Sequence, residues 1–135
     1  MWILPQTDPR EMPALALAYI GDAVFELYVR GYLLSRGLRK VQNLHVQASG
    51  MVRASRQACF LHALEPLFTP EELDVAKRGR NAKSGHIPKN ADMAEYRLST
   101  GFEALLGYLF LHRREERIAE LMEHLFRLAE ADADN

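Results

Sequence analysis

The chain has 135 residues, of which 48% are apolar, and its formal net charge is −1. This length allows one domain with a real core and leaves no room for a second. The single cysteine, Cys59, excludes a disulfide framework and favours a reducing compartment. Residues 1–13 lack the regions of a signal peptide, and no apolar run approaches the roughly 18 residues of a membrane helix. We therefore expect a cytoplasmic protein with no membrane partner.

Apolar residues recur with helical spacing, and no long stretch alternates as a half-buried strand would. We predict the first helix from about Pro13 to Arg36, with Gly37 ending it. The second is predicted from about Asn43 to Leu64, before a proline. The segment Thr69-Pro-Glu-Glu72 has the pattern of a capping box, so a third helix begins there and runs to about Arg78.

A long basic loop is predicted after the third helix. Residues Gly79 to Asn90 include two glycines and a proline among polar and basic side chains. A loop of this length inside a compact domain is usually functional or disordered. Two further helices, from about Asp92 to His112 and from about Glu115 to Ala129, complete an all-α fold.

Charge is sorted along the chain although the net charge is close to zero. Leu27 to Leu64 contains six Lys or Arg and no acid, and Val75 to Ala91 contains five more, again with no acid. Glu115 to Asn135 has seven acids against two arginines. We interpret this pattern as one electropositive face that binds phosphate groups and one acidic flank. The alternative is that these are ordinary solvated surfaces.

Two acidic residues interrupt apolar helices. Asp22 and Glu103 each lie in mid-helix among small and bulky apolar neighbours, and a glycine lies close to each. Glycines let two helix backbones approach, which would allow the carboxylates to meet. A carboxylate away from water must be paired or bound to a cation, and Mg²⁺ accepts one or two carboxylates while keeping most of its waters. The alternative is that the acids pair with arginines such as Arg53 or Arg97.

Two segments resemble the signature motifs of the ribonuclease III family. Residues Ala18–Glu26, AYIGDAVFE, resemble the family's EFLGDAVLE helix, and Thr100–Gly107, TGFEALLG, resemble its second carboxylate helix, D-x-x-EALIG. Lys77–Ala82 and Ile87–Asn90 add to a likeness that extends from about Leu15 to Ala129. The likeness is strongest to the Mini-ribonuclease III branch, which lacks a separate RNA-binding domain.

The resemblance implies a ribonuclease III-type helical endonuclease domain over residues 13–130, an N-terminal extension over 1–12 and an acidic tail over 131–135. It implies a homodimer that cleaves double-stranded RNA with Mg²⁺, for which Mn²⁺ is a possible substitute, and leaves a 5′ phosphate. Asp22 and Glu103 fall on metal-binding, catalytic positions of the family, and Tyr19 falls near the two-fold axis. Likeness to the Mini-ribonuclease III branch further implies maturation of the large-subunit (23S) ribosomal RNA precursor.

Part of the family's acidic set is missing from this sequence. Ala18 stands where the signature has a glutamate, Leu15 where another acid is frequent, and Thr100 where the second motif has an aspartate. We expect fewer protein ligands for each metal ion, with water and phosphate in the remaining positions. A second tightly held ion is therefore not expected.

Basic residues in and before the predicted loop are our candidates for contact with RNA. Duplex RNA is recognised mainly through its phosphates and 2′ hydroxyls, so basic side chains are suited to bind it. The candidates are Lys77, Arg78, Arg80, Lys83 and Lys89.

Two other functions are compatible with the sequence. The first is a non-catalytic helical module that binds structured RNA or a ribosomal protein and has lost catalysis with the missing acids. It predicts duplex binding without cleavage at any Mg²⁺ concentration. The second is a helical metal hydrolase acting on small nucleotides, although such enzymes generally have more clustered acids or histidine–aspartate pairs than this chain.

Overall fold

The computed structural model describes residues 4–83 and 87–133, and most of these residues are helical. No strand occurs in these ranges, so the predicted all-α fold is confirmed. Two short 3-10 helices lie at Pro9–Glu11 and Glu65–Leu67. The α-helices within the described ranges are α1 (Ala14–Ser35), α2 (Val41–Val52), α3 (Ala54–Leu64), α4 (Pro70–Asn81), α5 (Met93–Leu111) and α6 (Glu115–Ala133).

Helix α5 is the centre of the domain. It packs against α1, α3, α4 and α6, so it is surrounded on several sides by other helices. Every residue from Ser99 to Leu109 is buried except Glu103, which is half-buried. A helix that is buried all round is a core helix, and its polar residues require a specific reason to be there. Glu103 is therefore the exception in the most buried segment of the domain.

The contact between α1 and α5 is made by backbone atoms at two glycines. A Cβ atom on Gly21 would lie 1.7 Å from the carbonyl oxygen of Glu103, and one on Gly107 would lie 1.9 Å from that of Leu17. Real Cβ atoms do not approach backbone oxygens this closely, so only glycine allows this crossing. The close approach that the sequence predicts near both acids is present.

The predicted second helix is wrong in one respect, because the segment forms two helices. Arg53 has an extended backbone with ψ of 153°, and it separates α2 from α3. The sequence contains no glycine or proline at this point to mark the break. The side-chain Nε2 of Gln57 donates to the carbonyl oxygen of Val52 at 2.7 Å, which satisfies an acceptor that the break leaves without its helical partner.

The other four helices begin within one residue of their predicted starts, α1 and α5 also end within one residue of prediction, and α4 and α6 extend further than predicted. At the start of α4, Thr69 Oγ1 accepts from the Glu72 amide at 3.1 Å and Glu72 Oε1 accepts from the Thr69 amide at 2.9 Å, which confirms the capping box. Helix α4 continues to Asn81, which shortens the basic loop, and α6 continues to Ala133. The division into extension, domain and tail stays a prediction.

No helix of residues 4–83 and 87–133 is both long and apolar enough to cross a membrane.

Candidate active site

The crossing of α1 and α5 brings Asp22 and Glu103 together. Gly21, the neighbour of Asp22, lies against the backbone of Glu103. Asp22 raises the pKa of Glu103 through its charge and through a side-chain hydrogen bond, so the two carboxyl groups lie close together. The glycine that permits the crossing is thus also what brings the carboxylates together.

The two acids differ in burial. Glu103 is half-buried within α5, as expected, whereas Asp22 is exposed. The expectation that both lie away from water was therefore wrong for Asp22, because its side chain projects from the edge of the helix contact rather than into it. The pair consists of one carboxylate held in the protein and one that faces solvent.

The electrostatic environment of Glu103 disfavours its charged form. Burial raises the pKa of Glu103 well above its ordinary value, and the charge and hydrogen bond of Asp22 raise it further. The side-chain amide of Gln57 acts in the opposite direction. None of the ion pairs formed within residues 4–83 and 87–133 includes either acid, so the alternative pairing with Arg53 or Arg97 does not occur there.

Gln57 is a site residue that the sequence analysis missed. It is only 2% exposed, and its Nε2 lies 3.4 Å from Glu103 Oε2. Its importance depends on the break between α2 and α3, which turns its side chain towards α5. Since that break has no marker in the sequence, the pattern of residues offered no signal for it.

Two of the five basic candidates line one cavity beside this site. The cavity has a volume of about 480 Å³ and lies between the end of α4 and α5. Arg80 and Lys83 line it together with Arg97, and so do Leu15 and Thr100, two positions where the family has acids. Among the described residues the lining contains no Asp or Glu, so its charged side chains are all basic.

The other three basic candidates lie apart from this cavity. Lys77 and Lys89 are exposed, on α4 and in the following loop. Arg78 is half-buried, and its Nη2 donates to the carbonyl oxygen of Met12 at 3.0 Å. Part of its guanidinium group is therefore engaged in a hydrogen bond that stabilises the fold. Residues 84–86 of the predicted basic loop lie outside the described residues.

A divalent cation fits the donor set of this site. The two carboxylates are close together and have no cationic partner in the described part of the chain. No group of three or more His, Cys, Asp or Glu side chains is placed for metal binding there, so the site offers two acids. Mg²⁺ suits such a site because it binds through one or two carboxylates and completes its shell with water and phosphate.

Comparison with known proteins assigns the fold and these residues to a family. Residues 15–114 match the sequence family described as the Ribonuclease III domain. This chain belongs to the ribonuclease III family. It is 51% identical over 116 residues to a Mini-ribonuclease 3 of Symbiobacterium thermophilum, covering 86% of this chain and 89% of that relative.

A second relative and a solved structure agree with this assignment. The chain is 48% identical over 126 residues to a Mini-ribonuclease 3 of Brevibacillus brevis, covering 93% of this chain and 94% of that one. A crystal structure of a Fusobacterium nucleatum protein matches with a TM-score of 0.79 at 28% identity, covering 90% of this chain and 98% of that one. The resemblance predicted from the two motifs is confirmed.

Membership of the ribonuclease III family fixes the general activity. The chain is an endoribonuclease, and the family acts on double-stranded RNA, works as a dimer and generally depends on a divalent metal ion. Asp22 and Glu103 lie in the segments that match the two family motifs.

Tyr19 lies on the outer side of α1, in the ribonuclease III signature segment. It is 84% exposed, the highest value among the large apolar side chains of the described residues. Its neighbours Ile20 and Ala23 line an apolar groove of about 720 Å³ between α1 and the α5–α6 corner. An exposed aromatic ring next to an apolar groove is a surface that would be covered in a dimer.

Proposed function

We propose that this chain is a Mg²⁺-dependent endoribonuclease of double-stranded RNA in which Asp22 and Glu103 hold the metal ion. The observation that carries the proposal is the pair of adjacent carboxylates, in which burial and Asp22 raise the pKa of Glu103 and neither acid has a cationic partner in the described chain. A divalent cation removes this cost. Mn²⁺ would take the same place because it also prefers oxygen ligands.

Each acid has a distinct part in the reaction. When bound, a divalent ion activates a water for in-line attack on phosphorus and stabilises the leaving 3′ oxygen. Half-buried Glu103 gives a fixed carboxylate on the core helix, and exposed Asp22 gives one that can reach the substrate side. The new bond joins the water oxygen to phosphorus, the bond from phosphorus to the 3′ oxygen breaks, and the products carry a 5′ phosphate and a 3′ hydroxyl.

RNA is held by the cations that adjoin this pair. Arg80, Lys83 and Arg97 line the cavity next to Thr100, so they can bind a backbone phosphate close to the carboxylates. Lys77 and Lys89 are further candidates for RNA contact outside this cavity, since both are exposed. We expect Arg78 to contribute more to stability than to binding, because it is bonded to the backbone near α1.

The proposal includes the wider setting of the enzyme. We infer that the substrate is the precursor of large-subunit (23S) ribosomal RNA, since the relatives are named Mini-ribonuclease 3 and the sequence resembles that branch. Such a substrate requires a cytoplasmic enzyme. We also infer a homodimer in which Tyr19 is covered, because two sites on one body match the two strands of a duplex. Sedimentation of Tyr19→Ala against wild type tests this, and an unchanged dimer would remove Tyr19 from the interface.

Cleavage of a long RNA duplex across a Mg²⁺ titration tests the proposed function. Asp22→Asn and Glu103→Gln should each lower kcat/KM by about a thousandfold or more, which is about 4 kcal/mol of lost transition-state stabilisation. Glu123→Gln, an exposed acid on α6, is the control and should cleave like wild type. Full activity in either site variant would contradict the assignment of Asp22 and Glu103 as metal ligands.

The same assay separates the alternatives. Wild-type protein that binds the duplex and does not cleave it at any Mg²⁺ concentration would support a non-catalytic RNA-binding module. Turnover of mononucleotides without cleavage of duplex RNA would support a small-nucleotide hydrolase. The missing acids at positions 15, 18 and 100 motivate the first alternative, whereas the retained Asp22–Glu103 pair favours catalysis.

A further inference from the structure

Gln57 carries a buried oxygen atom with nothing to bind. The residue lies in the first turns of α3 and is 2% exposed. Within the described residues its Oε1 has no hydrogen-bond partner, and it is the buried side-chain polar atom left in that state there. Buried polar groups in folded proteins nearly always have a partner, so this oxygen requires an explanation.

The orientation of the Gln57 amide is set by its other end. Nε2 donates to the carbonyl oxygen of Val52 at 2.7 Å and lies 3.4 Å from Glu103 Oε2. Rotating the amide by half a turn would place Oε1 against that carbonyl oxygen and that carboxylate, which are both acceptors. The nitrogen must therefore face them, and Oε1 is the amide atom that is left to accept from a donor.

The Gln57 amide lies next to Glu103, one of the two acids of the proposed metal site. One amide hydrogen is directed to Val52 and the other is available to Glu103, so Gln57 joins the break between α2 and α3 to the core carboxylate. The missing partner of Oε1 must be a hydrogen-bond donor. Ions such as Mg²⁺ keep several of their waters when bound to protein, and each of these waters is a strong donor.

We propose that Gln57 is a positioning residue of the metal site, whose amide nitrogen orients the Glu103 carboxylate and whose amide oxygen accepts a hydrogen bond from a metal-bound water. The inference rests on the proposed function, since it requires an ion at Asp22 and Glu103. Gln57 does not touch the ion itself. Groups of this kind orient the direct ligands, and their loss typically lowers metal affinity by about ten- to a hundredfold.

The test is Mg²⁺ binding to the RNA-free protein, measured by isothermal titration calorimetry. Gln57→Met keeps the length of the side chain and removes both amide hydrogen bonds, so its dissociation constant for Mg²⁺ should rise by about ten- to a hundredfold. Leu64→Ala is the matched control. Leu64 lies in the same helix, is 1% exposed and does not belong to the site, so its replacement leaves a cavity in the core of the domain without changing the metal ligands. It should lose stability and keep the wild-type dissociation constant.

A measurement on the wild-type chain covers the case in which Gln57→Met does not fold. Mg²⁺ should shift the side-chain NH₂ resonances of Gln57 in a ¹⁵N-labelled sample, and the shift should saturate with the calorimetric dissociation constant. The exposed Gln47 amide should not move.

The outcomes distinguish the two levels of inference. Wild-type protein that binds no Mg²⁺ overturns the proposed metal site and the role of Gln57 together. Mg²⁺ binding by wild type, with equal affinity in Gln57→Met or with no shift of the Gln57 resonances, overturns only the role of Gln57.

Discussion

Two glutamates in this fold are withdrawn from water, and their surroundings are opposite. Glu72, at the start of α4, is 2% exposed. Its carboxylate accepts hydrogen bonds from Nε and Nη2 of Arg117, both at 2.8 Å, and from the Thr69 amide at 2.9 Å. Glu103, on α5, is half-buried and faces another acid, Asp22. One carboxylate is thus compensated within the fold and the other is not.

The pKa values follow this difference. Burial alone would raise the pKa of Glu72, but the hydrogen bonds from Arg117 and the Thr69 amide outweigh it and the pKa is lowered. Burial raises the pKa of Glu103, and Asp22 adds to the rise. Burial of an acid is therefore not what marks a functional site in this protein. The mark is a buried acid whose compensation has to come from outside the chain.

Matched amide substitutions should affect stability in opposite directions at the two glutamates. Glu72→Gln removes the buried partner of an ion pair with half-buried Arg117 and should lower the free energy of unfolding by about 3 kcal/mol. Glu103→Gln removes the cost of burying an ionisable carboxyl group beside Asp22 and should raise it by about 1 kcal/mol in metal-free protein at neutral pH. Urea unfolding measures both. A loss of stability in Glu103→Gln would contradict the contrast.

The backbone contact that creates the carboxylate pair should tolerate no side chain. Gly21→Ala places a Cβ atom 1.7 Å from the carbonyl oxygen of Glu103, so the helices must separate, at a cost of about 3 kcal/mol or more. Gly50→Ala, on α2, meets no atom within 4 Å and should gain about 0.5–1 kcal/mol from helix propensity. Thermal unfolding compares the two. Equal melting temperatures would show that α1 and α5 are not in backbone contact.

The two glutamates should also have opposite pH signatures in metal-free protein. The raised pKa of Glu103 means that the folded state binds its proton more tightly, so the stability advantage of Glu103→Gln over wild type should grow as pH rises above 4.5. The pKa of Glu72 is lowered, so its stabilisation is present at neutral pH and is lost as pH falls below 4.5. Denaturant unfolding from pH 2.5 to pH 8 follows both, and parallel curves for the two variants would contradict this assignment.

The smallest effect is expected at the cationic cavity beside the site. Replacing Arg80 and Lys83 with alanine should weaken duplex binding and reduce the slope of log affinity against log salt by about one for each RNA phosphate that is no longer bound. Arg127→Ala is the control, since Arg127 pairs with Glu123 on α6. Binding to an RNA duplex at several salt concentrations measures the slopes. An unchanged slope in the double variant would remove this cavity from the RNA surface.

Much of the fold was predictable because its signals are local. Gly37 ends α1 with φ of 92°, and the Thr69–Glu72 box starts α4, each by chemistry contained in a few adjacent residues. The break at Arg53 was not predictable, since no residue there disfavours a helix and the bend depends on how α2 and α3 pack. The wrong single helix therefore came from a tertiary effect.

The site was likewise predictable where its signals are local to the sequence and not where they depend on tertiary packing. Asp22 and Glu103 were identifiable because an acid in an apolar helix conflicts with its surroundings within a few residues. The exposure of Asp22 and the contact of Gln57 depend on the crossing of separate helices, which sequence spacing does not encode. The contribution of Arg97 to the cavity was missed for the same reason.

The central claim is that the uncompensated pair, Asp22 and Glu103, receives its compensation from a divalent ion. A crystal of the protein soaked with Mn²⁺ and measured for anomalous scattering tests this most directly. A Mn²⁺ peak is expected between the two carboxylates, bonded to at least one of them at about 2 Å. A structure with Mn²⁺ bound elsewhere, such as on the acidic α6, and none between Asp22 and Glu103 would contradict it.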